Sequence, residues 1–227
     1  MRIERHIDGG RMYHEQRRSF MDHLLGLPVS ELARSVPATP AWSVHDVVAH
    51  LVGICADLNA GRFGPDSGDE WTAHQVRARR DHTLSALCAE WDREAPRFED
   101  GLRLFGYDLG SHYVGDLLQH VADVRGVLPS DEALVVALDF YLSSFDDTLN
   151  EAGIGAVVVQ LPDVDWVLGS GPPIATVAAS SFEIFRSLGG RRNDAQLRSL
   201  GWTGDLDVVV PLMSRYPLPV DPIDDAG

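Results

Sequence analysis

The chain has 227 residues, 44% apolar and 23% charged, the composition of a soluble globule with a full core. Its 34 acidic residues outnumber 19 basic ones, giving a formal charge of −15. Neutralising phosphates requires clustered Lys and Arg, and the runs Arg77-Ala78-Arg79-Arg80 and Arg191-Arg192 are too short to reverse this balance, so nucleic acid and anionic membranes are excluded as expected partners.

No stretch approaches the roughly 18 apolar residues of a membrane span. The opening Met1-Arg2-Ile3-Glu4-Arg5-His6 continues into polar residues without an apolar signal core, and the expectation is a cytoplasmic protein. Cys55 and Cys88 are the only cysteines. Their spacing fits neither a zinc knuckle nor a redox pair, so each reads as a small buried apolar residue, with a reactive thiol as the alternative.

In chain order, Met12, Phe20, Leu24 and Leu27 recur at helical spacing and predict a first helix over 9–27, ended by Pro28. A short segment, Ser30 to Val36, precedes the turn Pro37-Ala38-Thr39-Pro40. Ser43 is a good N-cap for the next helix, with Asp46 three residues on as the acid of a capping box. That helix presents Val44, Val47, Val48, Leu51, Val52, Cys55 and Leu58 on its apolar face. Gly61 to Asp69 reads as a loop. A third long helix is predicted over 71–94, with Val76, Thr83, Leu84, Leu87 and Trp91 toward the core. A fourth is predicted over 110–127, and a fifth, capped by Asp131, runs through about Asn150. Beyond Gly153 the pattern becomes β-branched, and 155–161 with 165–168 predicts a hairpin. Residues 169–173 read as a loop, followed by a last helix over 175–188 closed by Gly189-Gly190 and a proline-rich surface tail.

The chemistry is concentrated on the fourth helix. A spacing of four puts Asp116 and His120 on one face, one turn apart, where two side chains can converge on a single ion. His112 and Asp123 extend that stripe, bordered by Leu117, Leu118, Val121 and Val124. An Asp-x-x-x-His pair is also a common exposed ion pair, and a site of this kind typically needs three protein ligands. His50, set among Val47, Val48, Ala49, Leu51 and Val52, is the best third candidate. The bland alternative for it is a hydrogen-bonded core histidine.

The segment Thr39-Pro40-Ala41-Trp42-Ser43-Val44-His45-Asp46-Val47-Val48-Ala49-His50-Leu51 resembles the P-x-W-S/T-x-x-D-x-x-x-H-L opening of the mycothiol-dependent maleylpyruvate isomerase family, whose members share a DinB-like four-helix fold. His120-Val121-Ala122-Asp123-Val124-Arg125-Gly126 is similar to that family's H-x-x-D-x-R helix. Phe182 to Arg192, followed by Gly201-Trp202-Thr203-Gly204-Asp205, is similar to its G-R-R/S … W-x-G-D ending. The resemblance implies a mainly α protein, with a DinB-like four-helix bundle over 1–150 and a small C-terminal α/β extension over 151–227.

It also implies a divalent metal, with zinc expected, on His50, Asp116 and His120. Asp116 stands where the family's motif has Glu, and this shorter carboxylate puts the affinity in question. His112 is the substitute ligand. Asp123 and Arg191 are the implied catalytic residues. Asp123 would orient His120, and Arg191 would clamp a substrate carboxylate. Their bland readings are a helix-surface acid and the flank of a helix end. Arg192 has no such match.

The function so implied is isomerisation or S-transfer, in which a small thiol of the mycothiol type acts on a small electrophilic acid. A coordinated thiol is deprotonated and therefore nucleophilic. The alternative is a non-catalytic metal- or ligand-binding module of the same fold.

Overall fold

The computed structural model describes residues 8–62, 68–127, 130–214 and 216–225. The described residues fall into two compact units, 8–127 and 130–225.

The first unit holds α1 (Gly9–Leu25), α2 (Val29–Leu32), α3 (Val44–Asn59), α4 (Gly68–Arg79), α5 (Leu84–Phe105) and α6 (Tyr107–Arg125), with a two-stranded hairpin of β1 (Ser35–Val36) and β2 (Thr39–Ser43). The four long helices α1, α3, α5 and α6 pack against one another, and α4 lies on α3. Ser43 and Asp46 form the expected capping box: the hydroxyl accepts from Asp46 N–H at 3.2 Å, and the Asp46 carboxylate accepts from Ser43 N–H at 2.9 Å. This type of cap is worth about 1 kcal/mol.

The expected third helix is in fact two. Val76, Leu84, Leu87 and Trp91 keep near-helical spacing across the break, so periodicity hides it. Thr83, read as a core residue, is instead the exposed N-cap of α5 and accepts from Ala86 N–H at 3.2 Å. α5 then runs through Pro96 to Phe105, beyond the predicted end at 94. An interior proline costs about 3 kcal/mol. Burial of Trp91, Phe98 and Leu102, each at most 4% exposed, offsets that cost from both sides of the ring.

Arg17 on α1 is 3% exposed; it donates to Asp92 Oδ1 at 2.6 Å and lies 3.4 Å from the buried Glu99, both on α5. Gly53 on α3 is needed for close approach: a Cβ there would stand 2.5 Å from Gln75 Cβ on α4.

The second unit opens with α7 (Asp131–Ala152), whose cap is Ser130 rather than Asp131. The resemblance groups this helix with the bundle over 1–150; its packing partners here include α8 (Ser181–Leu188) and β4 (Asp165–Leu168). The predicted hairpin is present as β3 (Ala156–Gln160) and β4 (Asp165–Leu168). It belongs to a four-stranded sheet of order β4-β3-β5-β6, in which β5 (Pro173–Ala178) runs parallel to β3 and β6 (Gly201–Gly204) runs antiparallel to β5.

β5 replaces the first residues of the expected last helix. That helix starts only at its Ser180 cap, which accepts from Glu183 N–H at 3.1 Å. The Trp-x-Gly-Asp motif closes this sheet edge. Gly204 adopts φ +89°, where a Cβ would lie 2.3 Å from Ile174 O, and Trp202 Nε1 donates to Leu197 O at 2.8 Å. The remaining elements are α9 (Asp194–Arg198), α10 (Leu206–Val209) and a 3-10 turn, Val210–Leu212. Among the described residues no helix is long and apolar enough to cross a membrane.

α8 ends in the expected left-handed glycine. Gly190 has φ +74°, Gly190 N–H donates to Ser187 O, and Arg191 N–H donates to Arg186 O. Arg192 is buried and gives a forked contact to Glu183 at 2.6 and 3.0 Å, with a further bond to Asp225 at 2.5 Å. The fully buried Arg186 holds the other oxygen of Asp225 at 2.7 Å. One carboxylate thus joins two buried guanidinium groups and ties the tail to α8.

Two outcomes are expected. Arg192→Ala should destabilise the protein by about 1–3 kcal/mol in urea unfolding, because it leaves the half-buried Glu183 without its forked partner while Arg186 still holds Asp225. Arg191→Ala should stay within about 1 kcal/mol. Cys55 is fully buried against Tyr13, and burial pushes its thiol up to about 12. At about pH 8 it should resist alkylation in the native protein and label only after denaturation, a difference that mass spectrometry reads directly.

Candidate metal centre

The cap at Ser43 starts α3 in a register that turns His50 inward with Val47, Val48 and Leu51. On α6, Asp116 and His120 sit one turn apart. His50 Nε2 lies 3.9 Å from Asp116 Oδ2, and His120 Nε2 lies 3.8 Å from Asp116 Oδ1. One donor atom from each of the three residues falls within a cluster no wider than 4.8 Å. The histidine side chains are 6% and 5% exposed and the carboxylate is 29% exposed, so the cluster opens to solvent on the Asp116 side.

The indole of Trp42 flanks both imidazoles, with centroids 5.0 Å from His50 and 6.2 Å from His120. These are borderline nitrogen and oxygen donors of the kind zinc takes, and about 3.4 Å separates two donors on a tetrahedral ion with bonds of about 2.1 Å. The observed separations are slightly wider, and small side-chain rotations would close them. The residues fit a divalent cation, and the shorter carboxylate of Asp116 still reaches both histidines.

The other ring nitrogens are handled differently. His50 Nδ1 is 2.9 Å from Gln75 Oε1, and Gln75 Nε2 donates to Asp57 Oδ2 at 3.1 Å. Asp57 is in turn held by Arg62 at 2.7 and 3.0 Å. His120 Nδ1 is 3.3 Å from Asp123 Oδ2, at ion-pair distance but without hydrogen-bond geometry. The Asp123 side chain is fully buried, so the reading of it as a surface acid does not hold.

His112 contributes no atom to the cluster and packs its ring on Tyr113 at 5.0 Å. Tyr113 is half-buried, and burial followed by the Asp116 charge raises its phenol above the ordinary value, which keeps it protonated at neutral pH. Arg191 belongs to the second unit, where it donates to Gly189 O at 2.7 Å. Sequence reasoning missed Gln75, Asp57 and the flanking role of Trp42. Only the indole had a signal, its place in the Pro-x-Trp motif.

Residues 13–111 match the family model described as the mycothiol maleylpyruvate isomerase N-terminal domain. The matched segment contains His50 and ends before Asp116. A search of curated proteins finds no match. Among solved structures, the mycothiol-dependent maleylpyruvate isomerase is similar at 14% identity and TM-score 0.57, over 87% of this chain and 93% of that one. A histidine-to-alanine mutant of a mycothiol-dependent maleylpyruvate isomerase is similar at 13% identity and TM-score 0.58, over 80% and 88%. At such identities the likeness establishes a maleylpyruvate isomerase fold.

Zinc added to the metal-stripped protein should bind close to one ion per chain, as read by elemental analysis after gel filtration. His50→Ala and His120→Ala should each abolish that retention, since two ligands leave an open, weak site.

Proposed function

We propose that this protein is a metal-dependent enzyme in which a small thiol attacks an electrophilic acid, releasing either an isomerised product or an S-conjugate. The convergence of His50, Asp116 and His120 in a fold of the maleylpyruvate isomerase type carries this reading. A divalent ion on these residues would supply Lewis acidity that lowers the pKa of a thiol placed beside it.

The chain's own groups do the rest. The two imidazoles and the carboxylate bring a single formal negative charge, which leaves a zinc site net positive and favours a thiolate. Asp116, the most exposed of the three at 29%, marks the side from which reactants enter. Trp42 covers the imidazoles and limits water around them. Asp123, beside His120 Nδ1, is suited to take that ring's N–H and aim Nε2 at the ion. Arg191 is assigned to the substrate carboxylate because a planar guanidinium grips such a group at two points. Mycothiol is the thiol of choice and a maleylpyruvate-like acid the model substrate, in keeping with the printed descriptions of the similar proteins.

The test is turnover of mycothiol, or of a simpler thiol, with an unsaturated keto acid by the zinc-loaded protein. Asp116→Asn should lose metal and activity together, because an amide is a poorer ligand. Arg191→Ala should keep its metal and lose about 10-fold to 150-fold in kcat/KM, the worth of one charge-assisted contact. A zinc-loaded protein that turns over no thiol with any electrophilic acid would leave a metal-binding module as the better description.

A further inference from the structure

We propose that Gln75 is a positioning residue that presets His50 for metal binding by fixing which ring nitrogen carries the proton. The inference rests on the metal reading of the His50–Asp116–His120 cluster. It begins from the order of partners behind His50.

A glutamine amide can face either way, and its neighbours decide. On one side lies Asp57, 3.1 Å from the Gln75 nitrogen, whose ionised carboxylate only accepts hydrogen bonds. Both Nε and Nη2 of Arg62 donate to the other oxygen of Asp57 and hold that carboxylate in place. The NH2 end of the Gln75 amide must therefore face Asp57, and its carbonyl oxygen must face His50. That oxygen, 2.9 Å from Nδ1, only accepts, so Nδ1 must carry the hydrogen. In a neutral ring the lone pair is then on Nε2, the atom 3.9 Å from Asp116.

The sequence of acceptor and donor thus runs from a surface guanidinium to the lone pair that a cation needs. The arrangement is enclosed: Gln75 is fully buried, Asp57 is 3% exposed, and His50 is 5% exposed. It also has its own space. Gly53, on the turn of α3 after His50, lets Gln75 approach where any Cβ would collide with it at 2.5 Å. A ring whose proton sits on the wrong nitrogen must tautomerise before it can ligate, so removing the acceptor lowers affinity without removing a ligand. Groups of this type beyond the direct ligands are worth 10-fold to 100-fold in metal affinity, or about 1.4–2.7 kcal/mol.

Long-range proton–nitrogen NMR of the metal-free protein, at a pH above the histidine range, reads the tautomer. Zinc affinity by chelator competition reads its consequence. In the wild type the His50 proton should be on Nδ1. Gln75→Leu should move it toward Nε2 and weaken zinc binding by about 10-fold to 100-fold. Gln75→Glu combined with Asp57→Asn keeps an acceptor facing Nδ1, a donor behind it and a single carboxylate in the pocket, and should keep the tautomer and most of the affinity.

A wild-type ring protonated at Nε2 overturns the inference, and this holds even if Gln75→Leu fails to fold. Equal zinc affinity in the wild type and a folded Gln75→Leu protein overturns it as well, while leaving the metal site standing. A wild type that binds no zinc removes the metal reading and the inference with it.

Discussion

Two imidazoles can share a cation only if each presents a lone pair, and a buried ring cannot exchange protons with water freely to find that state. In the proposed metal site this requirement falls on two rings of the first unit. His50 and His120 are nearly out of solvent, on different helices, and meet across Asp116, the one member that water reaches. The hydrogen bonds on their far sides therefore matter as much as the facing atoms. α4 brings Gln75 to the back of one ring, and α6 carries its own Asp123 toward the back of the other. The packing of α3, α4 and α6 is set where it must be for these contacts, and Gly53 marks the closest approach.

Charge is used sparingly in the interior. Basic residues are in the minority, yet several are buried at joints between elements. Arg17 ties α1 to α5 through Asp92 and Glu99. Arg186 and Arg192 share Asp225 and anchor the tail. Such pairs add little net stability compared with apolar packing, but they tolerate no loss of one partner. They act as registration points, and the excess of acidic residues remains for solvent and for the His50–Asp116–His120 cluster. Arg192, which the family pattern leaves without a part, has this structural one.

Much of the helical framework is legible in the chain. The capping box at Ser43 and Asp46 is local chemistry and appears as expected, as does the β3–β4 hairpin. Errors occur where two signals compete. The apolar period continues across 80–83, so the cap at Thr83 was the better guide to that boundary. The predicted helix ends at 94, and only the burial of Phe98 and Leu102 shows why it continues through Pro96 to Phe105. Ala175 to Ala178 read as the start of a helix because Ser180 and Glu183, the true start signal, come later, and because strand pairing with β3 lies outside any local window.

Asp116 and His120 are one turn apart on one helix, so their shared face follows from the sequence alone. His50 could be nominated from sequence, since an imidazole amid Val, Ala and Leu is unusual, and the resemblance joined it to the pair. Only the tertiary structure decided that its Nε2 meets Asp116, that His112 stays out, and that Gln75 and Asp57 stand behind the ring. The reason is physical. Contacts within a helix are set by a fixed rise and turn, whereas contacts between helices depend on how closely two surfaces approach. The Gln75 contact needs the absence of a side chain at Gly53, on another helix, and no local pattern around residue 75 records it.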